Sequence, residues 1–422
     1  MTSKAKRIVA IVVFVISIVT SFIVGFTMRF FTLDNDLKNA YNLLDKYKKY
    51  YYFDDGDIVT DIENALLDKY STFYTKQEYE AVKQQAKGEA VGIGVAVNVG
   101  TTYITSISGN SPCEKAGVKA GGNITAVKVN NEFTNVSNFD AFKDVIDATK
   151  IGDSVVFKVD YGNENVVEYS VIKQKYTTSY VTYCDSNSTY SFSDVSGEMK
   201  ATLKEKTLDI KNDSVAYIKY TAFNGTKGGL DGSAGQIKDA LRLFKENGKT
   251  KLILDLRGNG GGYMDILCNV ASHFINVENG KTALVSVAVD KYGNRQEFTS
   301  SKCDYHDYGF EKIVVMCDEG TASASEALIG AMLDYDSQNI VSVVVSSSIE
   351  NKQTVYKTYG KGIMQSTYLN SDGSAVKLTT AGIFWPVSNA TIHGVGVTTA
   401  ISNKVVNAQK EMALQTALSL MN

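Results

Sequence analysis

The sequence predicts an α/β fold for the carboxy-terminal part of the chain, preceded by a small β-rich domain, a helical segment and one transmembrane helix. An uncharged apolar run lies near the amino terminus, short alternating runs typical of strands follow, and apolar strands separated by helices come last. With 422 residues and about 150 residues per domain, two to three domains are expected. We divide the chain into a cytoplasmic tail (1–7), a signal anchor (8–28), a helical region (29–88), a β-rich domain (89–175) and an α/β domain (176–422).

Composition and charge exclude several classes of protein. Hydrophobic residues make up 44% and charged residues 21% of the chain, which excludes general disorder. A formal charge of −3 gives no electrostatic basis for nucleic-acid binding. The five cysteines are scattered and form no CxxC pair, so we interpret them as small buried side chains rather than a disulfide or metal framework. We expect no metal and no cofactor.

The stretch Ile8–Met28 carries no charge and is long enough to cross a membrane. Its 21 residues would span roughly 31 Å as a helix. Lys4, Lys6 and Arg7 precede it, so the positive-inside rule places the amino terminus in the cytoplasm and exports the rest. A cleavable signal peptide is the alternative, but Ser21–Arg29 shows no A-x-A-like cleavage site. We therefore expect an uncleaved anchor in the cell membrane, with the part after residue 30 outside the cytoplasm.

Two different sequence patterns follow the predicted anchor. Apolar residues at helical spacing between 37 and 70, and a short helix around Glu78 to Gln85, predict a helical stalk or a dimerisation arm, which makes a second copy of the chain a candidate partner. From Gly88 the pattern changes to strands, interrupted by one helix near Asn138 to Ala148. The strand runs are VGIGVAVNV, TYITSI, ITAVKV, SVVFKVDY and VEYSVI.

The carboxy-terminal part alternates more slowly between strands and helices. Its strands are nearly continuous apolar runs, which indicates a largely buried, partly parallel sheet. Such a block is where a catalytic site is expected. We predict strands at SVAYIKY (214–220), KLILDLR (251–257), ALVSVAV (283–289) and KIVVMC (312–317), and helices at Ser233–Glu246, Met264–Phe274 and Ser323–Leu333.

The segment 318–326, DEGTASASE, lies between a buried strand and a helix. A serine at such a turn is well placed for nucleophilic attack, because free backbone N–H groups and the helix dipole favour a developing oxyanion there. Capping is the alternative and, on this segment alone, the simpler interpretation. Thr321, Ser323 or Ser325 could each accept hydrogen bonds from the first helical turn.

Glycines mark two further segments. Asp255–Gly262, DLRGNGGG, exposes backbone N–H groups that suit a tetrahedral intermediate; a nucleotide-phosphate loop is the alternative, but the G-x-G-x-x-G spacing and the Walker lysine are missing. In Thr358–Gln365, TYGKGIMQ, glycines flank Lys361, which suggests a lysine in a tight pocket. A Ser–Lys pair works without histidine if the amine is desolvated and neutral. Of the three histidines, only His393 is a candidate triad base.

Taken together in this order, these segments resemble the carboxyl-terminal processing serine peptidases, also called tail-specific proteases. The likeness runs from about residue 35 to the end of the chain. The other segments that carry it are DKYSTFYT (68–75), GIGV (92–95), SPCEKAGVKAG (111–121) and HGVGV (393–397).

The resemblance implies a crotonase-like α/β peptidase core. By position it makes Ser323 the nucleophile, Lys361 the general base and Gln365 the residue that orients the lysine amine. The backbone N–H groups of Gly261 and Ala324 would form the oxyanion hole. Asp334, eleven residues after Ser323, matches an acidic position to which we assign a structural role.

The resemblance also implies a PDZ domain that binds the free carboxylate of a substrate through a loop of four residues, Gly92, Ile93, Gly94 and Val95. The expected protein is a membrane-anchored endopeptidase that cleaves exported polypeptides with apolar C-terminal tails through an acyl-enzyme.

This sequence departs from the family pattern at several positions. Lys69 replaces a usual proline, Gly258 and Gly260 make the oxyanion strand looser, and the run before Lys361 is longer than typical. Gln365 lies four residues after Lys361, which on a straight strand is roughly 13 Å, so the chain must curl there. Two alternatives therefore stand: an inert binding scaffold of the same fold, and a Ser–His–Asp hydrolase that uses His393.

Overall fold

The chain divides into two compact units, residues 1–69 and 70–422, and every element named below lies in the second. The computed structural model describes residues 67–97, 101–129, 132–206 and 208–421, with a few positions between 37 and 66. The anchor predicted at 8–28 lies outside the described residues, as does most of the first part of the predicted helical region (29–64). In the part that is described, no helix is both long enough and apolar enough to cross a membrane.

A strand and a helix precede the β-rich module. Strand β1 (Thr72–Tyr74) is followed by helix α1 (Lys76–Ala86), which confirms the helix expected around 78–85. The Thr75 N–H donates to the carboxylate of Glu78, and the Glu78 N–H donates to the hydroxyl of Thr75. This capping box fixes the start of α1.

The β-rich module holds a four-stranded antiparallel sheet in the order β6-β5-β7-β8, with β3–β4 and β2–β9 as separate pairs. Along β7, Val155, Phe157 and Val159 are buried in alternation, as a half-covered sheet requires. The predicted strands and the predicted helix at 138–148 are confirmed. Its elements are β2 (Glu89–Gly92), β3 (Val95–Val97), β4 (Ile104–Ile107), α2 (Pro112–Lys115), β5 (Asn123–Val129), β6 (Glu132–Asn135), α3 (Phe139–Ala148), β7 (Ser154–Asp160), β8 (Val166–Ile172) and β9 (Gln174–Thr177).

The α/β block is built on an eight-stranded sheet in the order β12-β11-β10-β13-β14-β17-β18-β23. The last five strands in that order are parallel, which confirms the partly parallel sheet. Its strands are β10 (Val181–Cys184), β11 (Thr189–Val195), β12 (Glu198–Lys204), β13 (Val215–Tyr220), β14 (Lys251–Asp255), β17 (Lys312–Cys317), β18 (Val341–Ser346) and β23 (Val405–Ala408).

Both faces of the parallel strands are covered, which explains their continuous apolar runs. Leu252 and Leu254 of β14 belong to the large core under helices α4 (Ser233–Glu246), α5 (Met264–Ala271) and α6 (Ala324–Tyr335). Ile253, between them, belongs to a second core under helix α7 (Ala413–Ser419). Neighbouring residues thus point to opposite faces, and both faces exclude water.

A separate antiparallel sheet of five strands accompanies the block. Strand β22 pairs with β1, β15 and β21, and β15 pairs in turn with β16. The apolar run at 283–289 therefore belongs to this sheet, and not to the parallel one for which its composition was typical. Its members besides β1 are β15 (Leu284–Asp290), β16 (Arg295–Thr299), β21 (Ile363–Leu369) and β22 (Ala375–Phe384).

The longer run before Lys361 contains a small hairpin, β19 (Ser348–Glu350) and β20 (Gln353–Val355). Asn351 and Lys352 form its two-residue turn with φ of 48° and 66°, the backbone that a tight hairpin turn requires. An ion pair of 2.9 Å joins Glu350, the last residue of β19, to Lys357, which follows β20.

Candidate active site

Ser323 lies at the end of the turn between β17 and α6, which we call the nucleophile turn (residues 318–323). Its φ of 58° and ψ of −116° are unusual for a residue with a side chain. The Ser323 N–H donates to Oε2 of Glu326 at 2.8 Å, and its carbonyl accepts from Ala327. Ser323 occupies the N-cap position of α6 and also lines the main cavity, so the capping and nucleophile interpretations both fall on this residue.

The other two hydroxyls of this segment have structural partners. Thr321 donates to the carbonyl of Leu256 at 2.9 Å, and Ser325 donates to the carbonyl of Asn259 at 2.9 Å. Both side chains are fully buried. Neither caps the helix, which leaves Ser323 as the hydroxyl that faces the cavity.

A second strand-to-helix connection lies beside this turn; we call it the glycine loop (residues 258–262). Asn259 is fully buried and joins the two: its carbonyl accepts from the Ala322 N–H at 3.0 Å, and its amide donates to the carbonyl of Tyr220 at 3.0 Å. The glycine loop and the nucleophile turn are thus tied together at their backbones.

Gly261 is where these two segments touch most closely. Its φ is +96°, and a Cβ there would lie 2.8 Å from the Ala324 nitrogen and 2.9 Å from Cβ of Ser323. Only glycine fits. The Gly261 N–H donates to Oδ1 of Asn259 at 2.9 Å. This N–H can donate to an oxyanion only after the Asn259 side chain moves away. Ala324 begins α6 and lines the cavity, as an oxyanion donor must.

Lys361 lies just before β21 and lines the same cavity as Ser323. Its backbone N–H donates to Oε2 of Glu326 at 2.9 Å. Its Nζ lies 5.2 Å from the centre of the Tyr70 ring, within the range of cation–π contacts. Tyr70 comes from the DKYS motif ahead of β1, so that motif contributes to the surroundings of the lysine.

Gln365 also lines the cavity, although it is four residues further along. A bulge between Met364 and Gln365 breaks the register of β21 against β22, a departure from the straight strand. The side-chain amide of Gln365 donates to Oγ1 of Thr379 at 3.2 Å. Its role in orienting the amine of Lys361 stays a prediction.

The cavity that holds these residues has a volume of about 1040 Å³. It lies between the glycine loop, the start of α6 and the five-stranded sheet, and in the described part of the chain its lining contains no histidine. His273 is buried with Nδ1 2.6 Å from Oδ1 of Asp304. Apolar lining comes from Met264, Cys268, Ala324, Ala327, Ile363 and Ile383.

A buried charge network supports the glycine loop from below. The fully buried carboxylate of Asp255 accepts from the Tyr217 hydroxyl at 2.6 Å, from the Arg257 guanidinium at 2.6 Å and from Lys219 at 3.2 Å. Burial alone would raise the pKa of Asp255, but the charges and hydrogen bonds of Lys219 and Arg257 hold that pKa below its usual value. Lys219 also donates to the carbonyl of Arg257, directly before the loop.

Three residues of the site escaped sequence reasoning: Glu326, Asn259 and Thr358. All are fully buried polar side chains with several partners at the site. The S-x-x-E spacing from Ser323 to Glu326 is a capping-box signal that could have found the first. Asp334, by contrast, accepts from Val387 and Ser388 in a turn, consistent with a structural role.

The predicted carboxylate-binding loop lies in the β-rich module. Ile93 is buried, and its carbonyl accepts from Cys113 at 2.9 Å. Gly94 has φ of +82°, and a Cβ there would lie 2.1 Å from Cβ of Ser111. Gly92 ends β2 and Val95 begins β3, whose one described partner strand is β4. The loop is held tightly against α2.

Comparison with known proteins identifies the α/β block. Residues 214–402 match Peptidase family S41. This part of the chain is therefore similar to S41 peptidases. This finding confirms the family resemblance indicated by the motifs.

Curated relatives point the same way. A probable CtpA-like serine protease of Staphylococcus aureus (strain N315) is 28% identical over 373 residues, which cover 86% of this chain and 63% of the relative. One of Staphylococcus saprophyticus is 27% identical over 337 residues, covering 79% of this chain and 57% of the relative. The chain thus spans less than two thirds of the length of these relatives.

A solved structure supports the fold. The photosystem II D1 C-terminal processing protease superimposes with a TM-score of 0.50 at 21% identity, and the match covers 84% of this chain and 82% of that one. The α/β peptidase fold is therefore common to both.

Proposed function

We propose that this chain is a serine endopeptidase of the C-terminal processing type. The single observation that carries the proposal is that Ser323, Lys361 and Gln365 line one cavity within the part of the chain that is similar to S41 peptidases. Ala324 lies in the same cavity at the start of α6, where an N–H and the helix dipole favour a developing negative charge.

The proposed reaction is acyl transfer. The neutral amine of Lys361 takes the proton of the Ser323 hydroxyl as its oxygen attacks the peptide carbonyl, and the Ala324 N–H receives the oxyanion. The amine then returns the proton to the leaving nitrogen as the peptide bond breaks. Water hydrolyses the acyl-enzyme by the reverse sequence of proton transfers, with Gln365 holding the amine in place.

The proposed substrates are exported polypeptides with apolar, unfolded C-terminal tails. The β-rich module would act as a PDZ domain that adds the tail as a strand beside β3, with Gly92–Val95 around the carboxylate. The uncharged stretch Ile8–Met28 supports a membrane anchor with an extracytoplasmic catalytic part. The helical region before Tyr70 is the proposed dimerisation arm.

The test uses the full chain in detergent, with an unfolded substrate that ends in an apolar free carboxylate. Wild type should cleave it and react with a fluorophosphonate at Ser323. Ser323→Ala and Lys361→Ala should each lower kcat by about 10³-fold or more. Full activity in Lys361→Ala would contradict the proposal.

The inert scaffold is a second candidate, favoured by one observation: Asn259 occupies the N–H of Gly261. Tail binding without cleavage and without labelling of Ser323 would support the scaffold. Labelling of Ser323 would exclude it.

A further inference from the structure

Glu326 lies between the nucleophile turn and the residues that lead to the lysine, which we call the lysine segment (residues 358–361). Its side chain is fully buried and accepts four hydrogen bonds. Oε2 accepts from the backbone N–H groups of Ser323 at 2.8 Å and of Lys361 at 2.9 Å. Oε1 accepts from the Gly360 N–H at 2.8 Å and from the Thr358 hydroxyl at 2.5 Å.

One carboxylate oxygen therefore bridges the backbones of the proposed nucleophile and the proposed base. We infer that Glu326 is a positioning residue that sets the placement of Lys361 relative to Ser323. The inference rests on the proposed function, because it assigns a role in the same reaction.

Four donors around one carboxylate explain why this acid is tolerated in the core. Burial raises the pKa of Glu326, and the hydrogen bonds from Thr358, Gly360, Lys361 and Ser323 oppose that rise. A neutral amide at this position would present its own N–H group to some of these donors. Several buried donors would then have no acceptor, which is costly. The geometry is thus specific for a carboxylate.

Further hydrogen bonds also hold the lysine segment. The Tyr359 N–H donates to the carbonyl of Thr321 at 3.0 Å, which attaches the lysine segment to the nucleophile turn directly. Thr358 also accepts from the Val397 N–H at 2.7 Å, which attaches it to the loop HGVGV. Without Glu326 these bonds keep the lysine segment in place approximately, but the bridge from Ser323 to Lys361 is lost.

A displacement of about 1 Å between reacting groups costs roughly 100-fold in rate. Loss of Glu326 should therefore lower kcat, which depends on the approach of the lysine amine to the serine hydroxyl. Substrate binding depends on other parts of the cavity and on the β-rich module, so KM should change little.

The test compares Glu326→Gln with Asp336→Asn in the full chain. Asp336 is a buried carboxylate at the opposite end of α6, where it accepts from the N–H groups of Ile340 at 2.8 Å and Val341 at 3.0 Å and pairs with Lys404 at 2.7 Å. Both substitutions remove one buried charge from one end of one helix. Only the first touches the nucleophile turn.

We expect both variants to unfold at lower temperature. Glu326→Gln should lower kcat by about 100-fold with KM within about threefold, and should slow fluorophosphonate labelling of Ser323 to a similar degree. Asp336→Asn should keep both rates within threefold of wild type. An unchanged kcat in Glu326→Gln, or an equal loss in Asp336→Asn, would overturn the inference while wild-type activity upholds the proposed function. An inactive wild type would overturn both.

If Glu326→Gln fails to fold, Thr358 offers a milder test. Thr358→Val removes one of the four donors and should lower kcat by about five- to tenfold, the rate equivalent of about one hydrogen bond. Thr358→Ser keeps the hydroxyl and should restore the rate. Equal rates in both variants would overturn the inference.

Discussion

The glycine loop and the nucleophile turn occupy equivalent places in the fold, yet they are built differently. Each follows a parallel strand of one sheet, β14 and β17, and each leads into a helix, α5 and α6. The glycine loop obtains its shape from four glycines and the buried side chain of Asn259, and it follows the charge network of Asp255. The nucleophile turn instead holds a serine at φ of 58°, and its anchor is the carboxylate of Glu326.

This difference separates two tasks. The glycine loop must come close to Ser323 and present backbone, which small residues allow. The nucleophile turn must carry a side chain in a conformation that costs about 1–3 kcal/mol, so it needs partners for the backbone of that residue. Substitutions in the glycine loop and in the nucleophile turn should therefore reduce activity or stability for different reasons.

The largest effect is expected at the contact between them. Gly261→Ala would place a Cβ 2.8 Å from the Ala322 carbonyl oxygen and from the Ala324 nitrogen, at a φ of +96°. Because the contact atoms are backbone, the nucleophile turn must shift, and we expect kcat to fall by about 100-fold or more together with the melting temperature. Gly260→Ala is the control, since no atom lies within 4 Å of its Cβ position. Equal activity in the two variants would show that the contact is not needed.

The next effect concerns the charge network under the glycine loop. Asp255→Asn leaves Lys219 and Arg257 without their buried partner, so the free energy of unfolding should fall by about 3–5 kcal/mol at neutral pH. The pKa of Asp255 is lowered in the folded state, so its contribution is present above the unfolded pKa of about 3.9 and is lost as the pH falls toward the folded value.

Urea denaturation of wild type and Asp255→Asn checks this between pH 7 and pH 3. The difference between them should stay constant down to about pH 5 and shrink below about pH 4. A difference that grows as the pH falls would contradict the ionised state of Asp255.

The smallest effect is expected at Ser325, which lies in the first turn of α6 directly after the nucleophile turn. Ser325→Ala removes one buried hydrogen bond to the carbonyl of Asn259 and should cost about 1 kcal/mol of stability. Labelling of Ser323 by a fluorophosphonate should persist, because Ser325 does not line the cavity. Loss of labelling in Ser325→Ala, with the fold intact by circular dichroism, would move the nucleophile to Ser325.

Local patterns predicted much of this fold correctly. The helix Ser233–Glu246 has the predicted bounds, because Gly232 precedes it and Gly248 with φ of +66° follows it. Buried strands such as β14 and β17 were evident from apolar runs. Which sheet a run joins was not evident: β15 has the same apolar composition but pairs antiparallel with β16 and β22.

The site was predictable only where motifs carry it. Family motifs indicated Ser323 and Lys361, and the structure brings both to one cavity. The role of Glu326 depends on Gly360 and Lys361, which are distant in sequence, and no periodicity reports such contacts. The occupied N–H of Gly261 likewise follows from the rotamer of Asn259, which a sequence does not specify.

Strand β1 has a topological consequence for the whole chain. Thr72–Tyr74 pair with Ala375–Lys377 of β22 in the five-stranded sheet before the chain enters the β-rich module, and the chain first joins the eight-stranded sheet at β10 after leaving the module. The module is thus inserted between β1 of the five-stranded sheet and β10 of the eight-stranded sheet. A truncation that starts at the module would also remove β1 from the five-stranded sheet and the Tyr70 ring from its place beside Lys361. Deletion of everything ahead of residue 89 should therefore disturb the five-stranded sheet and the surroundings of Lys361.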